Sequence, residues 1–544
     1  IFEIEMTLEY KNLSRALKAV KEQIKILKKQ GVTPAELAGA KRRAISNYVS
    51  GHQTVGQVAY ELVSDEAFAG DYEFSKKYVN ALKDVTSEDI KRVAKEYLKD
   101  ANLTTVVLRP KIEPSSVSED LKPVPEVEVK KFVLDNGFTV LLRENHAFPL
   151  VSVQLMLKGG IWQEPPELSG LAELTGNMIA RETKSRSPHA LEELLDVRGI
   201  SGGSSSGQYL FGQGYQILSE DLELGLSLIE DALKNVKFSE EEFKKFKDNM
   251  NPAIISRNED ISFKTSLTLR ELLFPTNSLR RDSFGTVETV EKIQLKDVIE
   301  FYRKVHTPSN MVLAVFGDFS TDAAFELIKK KFSSLSGKEA GFEKRVDEPP
   351  KERIEQTIYL PKEQAVVMIG FHSPTIYDKD KYAVSLLRSV LGSSLSGRIF
   401  IKIREELGQA YRLGGEYVAG VDGGYTSFYV NTTDENVEKV SEILLAQIEN
   451  LQTTEVTDQE LSDSKAYMKG KFKMSLDANS ASAYLCSFDE LFGIGYDNYK
   501  SYEQAVDAVT KEDIQRAAKQ YFDLNKAVVV LARPERARQP ISPK

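Results

Sequence analysis

A single cysteine, Cys486, occurs in 544 residues, so neither an intramolecular disulfide nor a thiolate metal cluster can form. Histidine is almost as scarce. His52, His146, His189, His306 and His372 are scattered, and no two stand four apart, so no helix offers an i, i+4 imidazole pair to a metal. No run of 18 apolar residues exists, and nothing is expected to span a membrane. Charge of one sign is also lacking. The 72 basic and 81 acidic residues leave a net −9 spread along the chain, which argues against a nucleic-acid partner. The start "IFEIEMTLEY" carries no initiator Met and no signal peptide, and its alternation reads as a strand, so sequence upstream of Ile1 is expected. What remains is ordinary for a soluble globular protein, 41% hydrophobic and 28% charged. The length calls for about three or four domains.

The strongest positive signal is internal repetition. Displaced by 424 positions, "GVTPAELAGAK" (31–41) falls on "EVTDQELSDSK" (455–465). In the same register "AYELVSDEAFAGDY" (59–72) falls on "AYLCSFDELFGIGY" (483–496), and "DVTSEDIKRVAKEYLKDANLTTVVLRP" (84–110) on "AVTKEDIQRAAKQYFDLNKAVVVLARP" (508–534). A looser echo is "EKIQLKDVIEFYRKVHTPSNMVLAVFGDFS" at 291–320. Each echo reads as a capped amphipathic helix followed by a short buried strand. Thr86 with Asp89, and Thr510 with Asp513, have capping-box spacing; "TTVVL" and "AVVVL" are the strands.

The expected fold class is α+β, in tandem domains, each a mixed or antiparallel sheet with long helices packed on one face. Residues 1–110 read as the C-terminal part of a truncated domain. Residues 111–130, with Pro114, Pro123 and Pro125 among charges, read as an extended linker. A full domain over 131–335 opens on a hairpin turned at Asp135–Asn136–Gly137. A second linker spans 336–352 and a last domain 353–537. The glycine- and serine-rich "GISGGSSSGQYLFGQGYQI" (199–217) lacks the ending of a phosphate loop and reads as a flexible loop feeding a strand. Cys486, in an apolar helical pattern, reads as buried. The period of 424 would put the start of the first copy about 293 positions before Ile1.

Several stretches resemble the pitrilysin/insulinase family of zinc metallopeptidases: "LDNGFTVLL", "SGLAELTGNM", "LSEDLELGLSLIEDAL", "HTPSNMVLAVFGDF" and above all "LGSSLSGRIFIKIREELGQAYRLGGEY". The resemblance implies two homologous halves, each a pair of α+β domains, closing like a clamshell on a peptide. The active half would carry an H-x-x-E-H helix, whose two His bind zinc and whose Glu is general base, with a further Glu downstream as third ligand. Laid on "GLAELTGNM", the first His becomes Glu173, the catalytic Glu becomes Gly176 and the second His becomes Asn177. The stretch "FKKFKDNMNPAIISRN" (243–258), where the third ligand should fall, holds no Glu. The bland alternative for Glu173 and Asn177 is a solvated or pocket-lining helix face.

"IREELGQAY" places Arg404 and Tyr411 seven residues apart. The resemblance gives such a pair a supporting role: reaching from the half without zinc, it holds substrate backbone and stabilises the tetrahedral intermediate. The residue types suit that role, since Arg offers a fixed fork of donors and Tyr a hydroxyl for a developing oxyanion. Without the resemblance they read as a surface ion pair and a half-buried Tyr. Gly392, Ser393 and Ser394 would line the chamber as substrate-binding residues.

The expectation is therefore the tail of one half plus a complete half that has lost its metal. This chain would hold no metal or other cofactor. Zinc would sit in a partner or upstream half, and peptide would be the shared substrate. The compartment is expected to be a bacterial cytoplasm or periplasm. The alternative is a purely structural or interaction subunit derived from such a peptidase.

Overall fold

Thr86 and Thr510 open their helices in the same way. Each hydroxyl accepts the N–H of Asp89 or Asp513 at 3.2 Å, and each carboxylate accepts the threonine N–H in return, at 3.0 and 3.1 Å. The reciprocal cap satisfies donors that helix geometry leaves unpaired. The computed structural model describes residues 2–6, 12–50, 55–107, 128–338, 341–393, 397–406, 410, 412–476 and 478–535. They form two units, Ile1–Glu126 and Val127–Lys544.

The described residues of the first unit build helices Leu13–Gln30, Pro34–Ser50, Val55–Ala69, Phe74–Leu82 and Ser87–Tyr97. Four of these begin 424 positions before helices of the second unit, which start at Val437, Asp458, Asn479 and Lys511. Side-chain bonds recur too. Lys41 Nζ donates to the Lys83 carbonyl at 2.7 Å, and Lys465 Nζ to the Asp507 carbonyl at 2.8 Å. The N–H of Thr33 and of Thr457 donates to Glu36 and Glu460 at 2.7 and 2.8 Å. The repeat in sequence is a repeat of structure.

Two expected strands are corrected. Residues 104–107 of "TTVVL" are irregular and exposed, and Leu108 lies outside the described residues. Residues 2–6 are likewise irregular, with 7–10 outside the described residues. A strand is stabilised by its ladder and by packing on neighbours, and the described residues of this unit include no strand to pair with. The expected linker at 111–130 lies outside the described residues up to position 127.

The second unit holds two mixed sheets. The first contains β1 (Lys130–Val133), β2 (Thr139–Glu144), β3 (Leu150–Lys158), β4 (Ser201–Ser206), β5 (Leu210–Leu218) and β6 (Met311–Gly317), in the order β1-β2-β6-β3-β5-β4. The second contains β7 (Ile354–Leu360), β8 (Ala365–His372), β9 (Arg412–Ala419), β10 (Gly424–Thr432) and β11 (Val528–Pro534), in the order β7-β11-β8-β10-β9. Apart from the extra edge strand β1, the two orders match. One parallel pair, β2–β6 or β7–β11, continues into antiparallel strands. The expected loop at 199–217 is thus corrected to the hairpin β4–β5, because a ladder pairs backbone and needs no large side chain.

Alternate residues of the central strands point to two different cores. Val153, Leu155 and Leu157 of β3 pack towards the sheet's own helices, and Met156 packs towards the second sheet. That second core is built by exchange. Helix Asn479–Leu491 lies on β3 and β6, and helix Ile261–Leu273 lies on β8 and β11. Cys486 is buried there, and burial pushes its thiol up to about 12. Polar contacts fasten the same junction. Trp162 Nε1 donates to Asp422 Oδ2 at 2.7 Å, and His372 Nε2 donates to the Leu273 carbonyl at 2.6 Å. The segment 341–353 is irregular yet tied down. Asp347 accepts the N–H groups of Thr276 and Asn277 at 2.8 and 2.7 Å, and Phe342 stacks on Trp162 at 5.8 Å. Among the described residues no helix is long and apolar enough to cross a membrane.

Leu269, fully buried on helix Ile261–Leu273, packs under Gly370 of β8. Leu269→Ala should cost about 2–5 kcal/mol in urea denaturation. Because the core is shared, fluorescence of Trp162, the only tryptophan, and far-UV circular dichroism should still report one coincident transition for the second unit. Separate transitions for the two sheets would contradict the exchange.

Candidate functional site

The motif helix, Leu171–Met178, is entered through Pro165 and Pro166 and a turn at Gly170, whose φ of +100° suits only glycine. Its N-terminus rests on a buried carboxylate. Glu164 accepts the N–H groups of Gly170 and Ala172 at 3.2 and 3.0 Å and the Ser169 hydroxyl at 3.0 Å, with Arg281 Nη1 at 3.8 Å. A negative group suits a helix N-terminus. Burial nonetheless raises the Glu164 pKa to about 7, opposed by the Ala172 N–H and the Arg281 charge. Sequence reasoning missed Glu164. Its one signal was an acid six residues ahead of Gly170 in "QEPPELSG".

The structure brings Glu173 and Asn177 together. Asn177 Nδ2 donates to Glu173 Oε1 and to the Glu173 carbonyl, both at 2.9 Å. Burial pushes the Glu173 pKa up, while the Asn177 bond and the nearby Arg257 charge oppose it. Gly176 is buried beneath β4. A Cβ there would stand 2.5 Å from the Ser206 nitrogen and 2.8 Å from the Ser205 carbonyl carbon, so backbone fills the place where a general base would start.

The helix Glu240–Glu259, which covers the whole stretch expected to supply a third ligand, carries Arg257 there. Its guanidinium lies 3.0 Å from Asp282 and over the rings of Phe263 and Phe284, at 4.4 and 4.8 Å. A scan of that stretch for acids passes over this base. Among the described residues no three His, Cys, Asp or Glu side chains could hold a metal ion. A hydrolytic zinc wants three good donors and an open position. A carboxylate bonded to an amide, beside a guanidinium, does not fit it.

The other expected site residues are described only in part. Gly392 is buried in the helical turn Ser389–Ser393, close to Gly414 and Gly415 of β9. The backbone of Ser393 belongs to that turn and that of Arg404 to the helical segment Phe400–Glu406. Their side chains, and all of Ser394 and Tyr411, lie outside the described residues.

Residues 139–268 match the family described as Insulinase (Peptidase family M16), and residues 292–468 the Peptidase M16 inactive domain. The uncharacterized zinc protease YmxG of Bacillus subtilis is 24% identical over 407 residues, covering 74% of this chain and 98% of the relative. The non-peptidase homolog YmxG of Helicobacter pylori is 26% identical over 336 residues, covering 61% and 77%. Among solved structures, a protease from Helicobacter pylori is similar with a TM-score of 0.71 at 20% identity, over 75% of this chain and 99% of that one. A peptidase M16 inactive domain from Pseudomonas fluorescens has a TM-score of 0.70 at 21% identity, over 75% and 98%. These two structures share the fold.

Glu164 should make stability fall as pH rises. Below about 4.5, the ordinary glutamate value, folded and unfolded chains both hold the proton; between there and about 7 only the folded chain does. Unfolding in that window releases a proton, so the site loses up to about 3 kcal/mol across it. Glu164→Gln keeps an acceptor for the helix N–H groups and cannot ionise. In urea denaturation at about pH 5 and about pH 7.5, wild type should lose stability relative to the variant by up to that amount. Parallel pH profiles would contradict the assignment.

Proposed function

We propose that this chain, which belongs to the insulinase family (peptidase family M16), is the metal-free partner of a zinc-bearing homologous half and closes the chamber in which that half cleaves peptides. The observation that carries this reading is the state of the motif helix. The helix is kept in place, Glu173 is bonded to Asn177, and position 176 is closed by β4. A zinc peptidase site needs a base and three protein donors, so in this reading the zinc belongs to the other half. The matched inactive-domain family, and a relative named a non-peptidase homolog, support it.

In this reading residues 131–335 and 353–537, joined by 336–352, are the two domains of one half. Residues 1–110 and the linker 111–130 are the back part of a further domain like 353–537. Arg404 and Tyr411 lend donors to the partner's chemistry. The guanidinium holds peptide carbonyls near the scissile bond, and the phenol stabilises the oxyanion. Gly392, Ser393 and Ser394 line the chamber beside them.

The test is the reconstituted pair. Arg404→Ala and Tyr411→Phe should each lower peptide cleavage about tenfold or more while the two polypeptides still co-elute. Unchanged cleavage with assembly intact would instead assign the chain a purely structural or interaction role.

A further inference from the structure

The loop between β2 and β3, residues 145–149, is tied to its surroundings at its two ends. The Asn145 N–H donates to the Gly317 carbonyl at 2.7 Å, and the Pro149 carbonyl accepts the Ser219 N–H at 3.2 Å. Between these ends stand His146, Ala147 and Phe148, so the imidazole is the polar side chain left to hold the tip.

That ring lies between two carboxylates from different elements. Nδ1 is 2.5 Å from Asp318 Oδ1, just past the end of β6, and Nε2 is 2.9 Å from Glu144 Oε1, the last residue of β2. Both carboxylates are fixed from behind. Glu144 Oε2 accepts the N–H and the hydroxyl of Thr321 at 2.8 and 2.7 Å, where helix Thr321–Phe332 begins. Asp318 Oδ2 accepts the Ser219 hydroxyl at 2.8 Å, just past the end of β5.

An ionised carboxylate only accepts, so each ring nitrogen here must carry a proton, and a neutral imidazole has only one to offer. The geometry therefore selects the imidazolium. The bonds to Asp318 and then to Glu144 raise the His146 pKa above the ordinary 6.5. The Thr321 bonds, followed by that to His146, hold Glu144 down at about 2, and the bonds from His146 and Ser219 lower that of Asp318. Near neutral pH the ring is thus the member of the cluster that titrates.

We propose that His146 is a pH-operated latch on the β2–β3 loop. As imidazolium it binds Asp318 and Glu144 together. As neutral imidazole it turns a lone pair towards one of them, and the tip at Ala147 and Phe148 is released. The attachment is complete below the ordinary histidine value and is lost as pH rises through the raised one. The ring is exposed, and exposed ion pairs hold weakly, so the opening is confined to the loop.

Phe148 is 69% exposed, and Cys486, the only cysteine, is buried. A nitroxide placed through Phe148→Cys in the full chain therefore reports on the loop alone. Its rotational correlation time should shorten at least about twofold between about pH 6 and about pH 9, with a midpoint above about 6.5. His146→Gln should leave the label mobile throughout. Glu144→Gln keeps an acceptor for Thr321 and should lower the midpoint. The histidine Cε1 resonance that is missing from His146→Gln should titrate with the midpoint of the label. A label that stays equally mobile across the range, or a change that persists in His146→Gln, would overturn the latch. So would a His146 midpoint at or below about 6.5.

Discussion

Ser205 and Ser206 of β4 lie against the motif helix so closely that a Cβ on Gly176 would stand 2.5 Å from the Ser206 nitrogen. Backbone fills this space, and backbone held in a ladder cannot move aside as the end of a flexible side chain can. β4 is paired along its length with β5, and β5 with β3 at the middle of the sheet, so yielding at position 176 would disturb that ladder. The Ser–Gly composition of β4 permits the approach. Glu173 turns to Asn177, and Arg257 brings a positive charge to the helix that should have given a carboxylate. The helix keeps its place through Glu164 and the burial of Leu171, Leu174 and Met178.

That local closure sits inside a unit whose two sheets are not independent. Each sheet packs its own helices on one face and receives on its second face a helix from the segment that builds the other sheet. Trp162 and Asp422 bond across the junction, close to where Glu164 begins the approach to the motif helix. The residues that fasten the helix, Glu164, Gly170 and the buried leucines, are not those at positions 173, 176 and 177, to which the proposed function assigns the lost metal site.

Much of this was legible in the sequence wherever the governing interaction was local. The reciprocal caps at Thr86 and Thr510 need only a three-residue spacing. The hairpin at 135–137 needs one turn, β6 is announced by a short apolar run and β11 by a run of valines. The departure of positions 173, 176 and 177 from H-x-x-E-H is a matter of residue identity alone. What escaped depended on distant neighbours. "TTVVL" and "AVVVL" look alike, yet among the described residues only the second has strands, β7 and β8, to pair with. β4 looked like a loop because serine and glycine say nothing about pairing, which the backbone provides. Glu164 and Arg257 could not be singled out, because their roles arise from burial beneath a helix and from Asp282, Phe263 and Phe284, brought near only by the fold.

The central claim is that the motif helix serves packing and cannot hold a hydrolytic metal. Equilibrium dialysis of the purified chain against zinc, followed by metal analysis after competition with a chelator, tests it most directly. The account predicts far less than one equivalent retained, with the fold unchanged by the chelator. One zinc per chain that survives competition, and is lost when Glu173 is replaced, would contradict it.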